Sequence, residues 1–268
     1  MPLTCSWRWW IPAGCVLLGG CAGTPNQRRA EPYRFDTVSN SCRQSPANCA
    51  ALAGKETVGT TLAAAATTGY VVVRALEDPA RDLVEAILVE CADLARSEVL
   101  LRHRRDFAAQ SPTREECNQQ VRDATGRRVN RAALLGTEMH LVALRCAKER
   151  LGMLRPGGFS LEPHYRYDSE SGRTTHIPEK DVAALRESGN ASELWGTLAP
   201  DVVIHAGSPF QIQAVYDFKF PCFHLDGMPR WDTYPPEHPH QKLNQGQLYK
   251  AALRVPPLRV APRIGVER

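Results

Sequence analysis

The stretch from residue 201 to residue 220 constrains the fold of this chain more than any other. Residues 211–220 separate by parity. Ile212, Ala214, Tyr216, Phe218 and Phe220 fall on one side of an extended chain, and Gln211, Gln213, Val215, Asp217 and Lys219 fall on the other. The first set reads as a core face. The second ends in an acid and a lysine two residues apart on the same side, roughly 7 Å between Cα atoms. A second apolar run, residues 201–206, precedes it, and Gly207-Ser208-Pro209 between the two is turn chemistry. Folding the pair as a hairpin about residues 208–209 sets Asp201 opposite Tyr216 or Asp217.

Two carboxylates brought that close repel one another. A divalent cation between them relieves the repulsion, and oxygen ligands of this kind favour Mg²⁺ or Mn²⁺. A lysine beside such a cation can orient or help deprotonate a water and offset charge on a phosphate. The net charge of the whole chain is only +4. The small basic excess falls beyond residue 112, which suits a phosphate-rich ligand without requiring one.

Helical spacing surrounds this hairpin. Asp78-Pro79 is a helix start, and Leu83, Ile87, Leu88, Cys91, Leu94 and Ala95 recur at helical intervals towards Phe107. The Arg102-His103-Arg104-Arg105 run at its far end suits a solvated face or the negative end of the helix dipole. Gln110-Ser111-Pro112 is the best boundary between segments. Residues 131–151 read as a strong helix with Leu135, Met139, Val142 and Cys146 in one stripe. Residues 159–167 are strand-like, 168–172 a turn and 179–188 a short helix. A proline-rich loop spans 221–239, residues 241–254 are helical, and 258–266 make a last strand weakened by Pro262.

Pro200-Asp201 followed by Asp217-Phe218-Lys219 resembles the PD-(D/E)xK signature of the restriction-endonuclease-like superfamily of nucleases. Gln245-Gly246-Gln247-Leu248-Tyr249 resembles the QxxxY helix that follows the DxK strand in RecB-like members, with Gln245 and Tyr249 on one helical face. The resemblance implies a fold of α+β or α/β class, a core of helix, mixed sheet and helix, preceded by a mainly helical N-terminal region. It implies hydrolysis of phosphodiesters in nucleic acid, DNA before RNA, with Mg²⁺ (or Mn²⁺) as cofactor. Asp201, Asp217 and Glu138 would be metal ligands, Lys219 would position the water, and Gln245 and Tyr249 would position the site or the substrate. Glu138 enters because family members often carry an acidic ligand on the helix before the strands. His140, two positions on and about 200° round that helix, is expected to face away from the site. A competing zinc reading uses Cys222, His224, His238 and His240, whose spacing matches no known module.

The other end of the chain has a different character. Arg8, a short apolar run over residues 9–20 and the tetrapeptide Leu18-Gly19-Gly20-Cys21 resemble a bacterial lipoprotein signal. The resemblance implies a signal peptide over 1–20, a lipidated Cys21 and, since Ala22 follows rather than an aspartate, an outer-membrane address. Residues 21–54, rich in Pro, Asn, Gln and Ser, read as a tether, and 55–111 as a mainly helical region, with residues 62–66 helical and 70–73 extended. Residues 112–268 would then be the nuclease-like domain. Of nine cysteines, setting aside Cys5, Cys15 and Cys21 leaves Cys42, Cys49, Cys91, Cys117, Cys146 and Cys222. This even set suits disulfides, with Cys42–Cys49 a plausible local loop, but Cys91, Cys117 and Cys146 suit small buried apolar positions equally well.

A nuclease core behind a lipobox resembles the polymorphic lipoprotein toxins of the myxobacterial swarm-inhibition type. That architecture implies delivery through residues 55–111, action inside a recipient cell and a cognate immunity protein. An envelope nuclease with no such partner, or a binding lipoprotein that has lost catalysis, are the alternatives. The anchor is testable by itself. Cys21→Ser is expected to leave the chain unprocessed and without acyl groups in a metabolic lipid-labelling experiment. Normal acylation of that variant would overturn the lipoprotein reading.

Overall fold

The computed structural model describes residues 75–223 and 226–267. The signal, Cys21, the tether, the expected elements at 62–66 and 70–73, the Cys42–Cys49 loop and His224 lie outside the described residues. No helix among the described residues is long and apolar enough to cross a membrane.

Helix α1 spans Asp78–Arg102, with Pro79 in its first turn, where a missing N–H costs nothing. Its buried row is Val84, Leu88, Cys91, Ala92, Ala95 and Val99. Leu83 and Leu94, expected in that row, lie to one side and are exposed. The helix stops at Arg102 and a single 3₁₀ turn, Arg104–Asp106, follows. A short helix α2, Arg114–Asn118, is closed by a capping box between Thr113 and Glu116. Strands β1 (Gln120–Arg122) and β2 (Arg128–Asn130) form a small hairpin. Helix α3, Arg131–Leu154, starts on Asn130, whose side chain accepts from Ala133 N at 2.7 Å.

Helix α3 is buried on more than one face. Towards α1 it presents Cys146, disulfide-bonded to Cys91, and Arg145, paired with Glu98 at 3.2 Å. Its other buried row contains Gly136, His140, Ala143 and Ala147. The apolar residues of α1 and α3 share one core with Val202, Ile204, Tyr216, Phe218 and Val260 of the sheet. The expected boundary at residue 112 therefore does not separate two cores: the helix before it and the elements after it exclude water from the same side chains.

The expected strand over 159–167 is divided. β3 (Phe159–Leu161) stays in the main sheet, while β4 (His164–Asp168) pairs with β5 (Arg173–Ile177) in a separate hairpin. The break falls at Glu162, in the left-handed region at φ 45°, before Pro163, which has no N–H to give to a ladder. After helix α4 (Glu179–Glu187) and a 3₁₀ turn come β6 (Val202–His205) and β7 (Ile212–Phe218), then α5 (Gln245–Leu253), β8 (Pro257–Ala261) and β9 (Gly265–Glu267). The expected last strand is thus a hairpin, reversed at Pro262 and at Arg263, whose φ is 64°. The expected helix over 241–254 begins only at Gln245, where Asn244 caps it through a second capping box with Gln247.

The main sheet runs β3-β6-β7-β8-β9. All its pairs are antiparallel except β7 with β8, and the crossover between those two carries α5. Helices α1 and α3 cover one face. On the other, α5 and the β4–β5 hairpin pack with Val203, Ile212 and Val215. A register shift between Ile204 and His205 moves Ile212 out of the parity of Ala214 and Tyr216. The fold is a mixed α/β structure with a central mixed sheet flanked by helices, and it matches the expected helix, sheet, helix core in outline.

Among the described residues two disulfides, Cys91–Cys146 and Cys117–Cys222, fasten the helical layer to itself and to the segment after β7. Arg96, buried in α1, adds hydrogen bonds to Pro221 O at 2.8 Å and Cys222 O at 3.3 Å. Replacing Cys91 and Cys146 together by serine is expected to lower the unfolding free energy by about 2–4 kcal/mol, measured by chemical denaturation. An unchanged midpoint would show that α1 is held by its apolar row alone.

Candidate metal centre

The site lies where β3, β6 and β7 come together at one end of the sheet. Register pairs Val202 with Tyr216, so Asp201 stands across from Asp217. Leu161 pairs with Val202, and the ladder continues one step as Glu162 N donates to Asp201 O at 3.0 Å. Three adjacent strands thereby deliver three carboxylates side by side. Asp201 and Asp217 are fully buried.

Asp201 is held by its Oδ2, which accepts from Phe218 N at 2.7 Å. Its Oδ1 accepts no hydrogen bond and lies 3.4 Å from His140 Nε2. The same imidazole nitrogen lies 3.4 Å from Glu162 Oε1. His140, Glu162 and Asp201 form a buried cluster in which one ligand atom from each lies within 4.8 Å of the others. Neighbouring ligands of an octahedral cation with bonds of about 2.1 Å sit about 3.0 Å apart. The spacing of this cluster, and the orphaned oxygen of Asp201 at its centre, fit a divalent cation.

The electrostatics agree. Burial raises the Asp201 carboxyl well above the usual carboxylate range, and the Asp217 charge adds to the rise. Burial alone would drive the His140 imidazole down, but Asp201 and Glu162 outweigh it and hold His140 up at about 9. A cluster that must share protons in order to stay buried exchanges them readily for a metal ion.

Beside the cluster is a second group. Lys219 Nζ lies 2.8 Å from Asp217 Oδ2, an ion pair without well-directed hydrogen-bond geometry. The ammonium also donates to Gln245 Oε1 at 2.6 Å and Asp232 Oδ2 at 3.0 Å. Burial opposes the charge on Lys219, yet the Asp217 and Asp232 carboxylates raise its pKa. Gln245 Nε2 donates to Asp217 Oδ1 at 3.3 Å and to the Tyr249 hydroxyl at 2.9 Å. One amide thus clamps both members of the ion pair, its oxygen on the cation and its nitrogen on the anion. Gly246 makes room for the loop above: a Cβ there would lie 2.5 Å from the Trp231 ring. That ring sits over Lys219 Nζ at 5.3 Å and packs edge-on against Tyr249.

Asp201, Asp217, Lys219, Gln245 and Tyr249 are therefore brought together. Glu138 is not. Its carboxylate pairs with Arg102 at 2.9 Å and His103 at 3.0 Å, at the end of α1. Positions 138 and 140 do face different ways, but the expectation about which one faces the sheet is corrected. The row Gly136, His140, Ala143 and Ala147 makes the close approach, and a lone imidazole in a row of small residues was the available signal. Glu162 was missed because the strand break that aims it follows from Pro163 and not from periodicity. The zinc reading is overturned by Cys222, whose sulfur is in a disulfide with Cys117. His238 is stacked on Tyr234 with ring centroids 4.1 Å apart, and its Nδ1 accepts from His240 N at 3.1 Å.

No family model matches the chain, and neither a curated protein nor a solved structure matches it.

The cluster makes a prediction that needs no substrate. A divalent cation in hundredfold excess over its Kd is expected to stabilise the fold by about 2.7 kcal/mol, seen as a rise in Tm by calorimetry. His140→Ala and Asp201→Asn should lose the rise, while Glu138→Ala should keep it. Because the cation must displace a proton that His140 holds up to about pH 9, uptake should weaken as the pH falls. A Tm rise that survives His140→Ala would place the cation elsewhere.

Proposed function

We propose that this chain is a metal-dependent phosphodiester hydrolase of the PD-(D/E)xK type acting on DNA, carried by a lipid-anchored toxin. The observation that carries the reading is the joining of two groups on adjacent strand ends: the His140, Glu162 and Asp201 cluster, and the Asp217–Lys219 pair clamped by Gln245. The sheet order and the α5 crossover support the family assignment because they set a D…DxK pair and a QxxxY helix against each other.

His140, Glu162 and Asp201 would hold the cation, Mg²⁺ or Mn²⁺, with Asp217 as the adjoining carboxylate. A single imidazole among oxygen donors favours Mn²⁺ as the better occupant. When bound, such a cation polarises a phosphoryl oxygen and lowers the pKa of a water. Lys219 orients that water and carries positive charge to the phosphate as its negative charge develops. Gln245 keeps the lysine and Asp217 in register, and Tyr249 fixes the amide. Phosphate esters suit a site of this kind because the Lys219 ammonium, and a cation held by His140, Glu162 and Asp201, would both offset the negative charge that builds on the phosphoryl oxygens.

The toxin part rests on the lipobox resemblance at Cys21 and carries the immunity protein with it. An acidic partner would meet the slight basic excess of the region beyond residue 112. The mature chain, incubated with plasmid, single-stranded DNA and tRNA in Mn²⁺, is expected to cleave DNA. Asp201→Asn, Asp217→Ala and Lys219→Ala should each lower the rate by at least about 10²-fold, and Lys219→Arg should not restore it, since a planar guanidinium cannot replace a compact ammonium. Undiminished cleavage in EDTA would sink the metal mechanism. Expression without residues 1–20 should kill a naive cell with loss of its DNA, and Asp217→Ala should abolish killing. Harmless accumulation of the folded wild type would count against the toxin.

A further inference from the structure

An ammonium has three N–H groups, and three side-chain oxygens surround Lys219 Nζ: Gln245 Oε1 at 2.6 Å, Asp217 Oδ2 at 2.8 Å and Asp232 Oδ2 at 3.0 Å. Two directed hydrogen bonds and one close ion pair enclose the ammonium, so an incoming anion must compete with an oxygen already against it. For Lys219 to meet a water or a phosphate oxygen, one of the three must give way. Gln245 is fully buried and also holds Asp217 and Tyr249. Asp217 is fully buried on β7. Asp232 differs from both, with a side chain 39% exposed against 5% for Lys219.

The surroundings point the same way. The Trp231 ring lies over Nζ, seated against Gly246 of α5. Asp232 is therefore the solvent-facing member of the group around Nζ. Its backbone is fixed, since Asp232 O accepts from Gln245 N at 2.8 Å and Thr233 bridges to Asn244. Its carboxylate can turn away by rotation of the side chain alone, with the loop staying in place.

We propose that Asp232 is a displaceable anionic cover on Lys219, and that its carboxylate occupies the position at the ammonium which a phosphate oxygen of the substrate takes. This rests on the reading of the site as a phosphodiester hydrolase. The cover holds the buried charge satisfied until substrate binds and admits only a ligand anionic enough to replace a carboxylate. Neutral ligands cannot make the exchange. Substrate binding is consequently weaker than the bare Lys219 would give, by the strength of a partly exposed ion pair.

The test compares wild type, Asp232→Asn and Asp232→Ala in Mn²⁺, using inorganic phosphate and a short single-stranded oligonucleotide as probes. Binding is followed by calorimetry and cleavage by steady-state kinetics. The backbone contacts of Asp232 with Gln245 and of Thr233 with Asn244 use no side-chain atom of residue 232 and survive either substitution, and a thermal melt checks the fold. Asp232→Asn, which keeps the shape and removes the charge, is expected to tighten phosphate binding about two- to fivefold and to lower KM by a similar factor without lowering kcat. In a Lys219→Ala background the same change should do nothing to phosphate binding, which assigns the effect to that pair. A fall in kcat with phosphate binding unchanged would overturn the cover and make Asp232 a positioning residue for Lys219. Tighter phosphate binding in a chain that cleaves no nucleic acid would uphold the cover and reject the hydrolase. Cleavage with identical KM and phosphate affinity in wild type and Asp232→Asn would do the reverse.

Discussion

The constraint on which the rest of this structure depends is the burial of Asp201 and Asp217 side by side at the ends of two paired strands. Water is excluded from both carboxylates, so each must find its compensation in protein. Asp201 takes a backbone N–H from Phe218 and the edge of His140; Asp217 takes Lys219 and the amide of Gln245. Those partners come from α3, β7 and α5, on both faces of the sheet. The helices are therefore fixed by the charges as well as by apolar packing. A half-satisfied network of this kind would be worse than an apolar core. The oxygen of Asp201 left without a hydrogen bond is one point where the network is incomplete, and it belongs to the cluster whose spacing fits a divalent cation.

Such a cluster needs a rigid frame, because carboxylates that repel will separate if their strands can. Two features resist this. The strands pair continuously from Leu161 through Val202 to Tyr216 immediately beside the charged end. The helical layer behind them is fastened by Cys91–Cys146, by ion pairs of Glu98 with Arg145 and Glu90 with Arg150, and by a common core. Helix α1 reaches the site through α3: it braces the helix that carries His140. Its end also binds Glu138, which keeps that carboxylate away from a region already crowded with negative charge.

What could be read from the sequence follows from the range of the interactions involved. The β6–β7 hairpin, the strand parity near Asp217, and the one-faced Gln245 and Tyr249 are local, and periods of two and four residues disclose them. The helices at 78 and 131 were legible at their starts for the same reason, through Pro79 and the apolar repeats. Helix α2 and the β1–β2 hairpin were not expected, although the capping box at Thr113 and the Asp123–Gly126 turn that mark them are local signals, an S/T-x-x-E and a D-x-x-G. The choice between Glu138 and His140 was not local. It depended on which face of α3 meets the sheet, and that is set by α1 occupying the opposite face. The division of residues 159–167 turned on one backbone angle at Glu162, and the Cys117–Cys222 pairing on how the chain folds back across 105 residues.

Gln245 decides how the two halves of the site communicate. An amide places an acceptor oxygen and an NH₂ donor on one planar group, so it can accept from an ammonium and donate to a carboxylate and a hydroxyl at once. Glutamate in its place would add a further negative charge beside Asp217. Lysine would repel Lys219. Leucine would leave both charges with a lost partner in a dry environment. The Tyr249 hydroxyl accepts the amide's second N–H at 2.9 Å, so the amide orientation is set by three partners. Rotating the amide by half a turn would set its NH₂ against the ammonium and its oxygen against the carboxylate. The position of Lys219 therefore depends on α5 in register as well as on β7. The capping box that starts α5 at Asn244, one residue before Gln245, is what fixes that register.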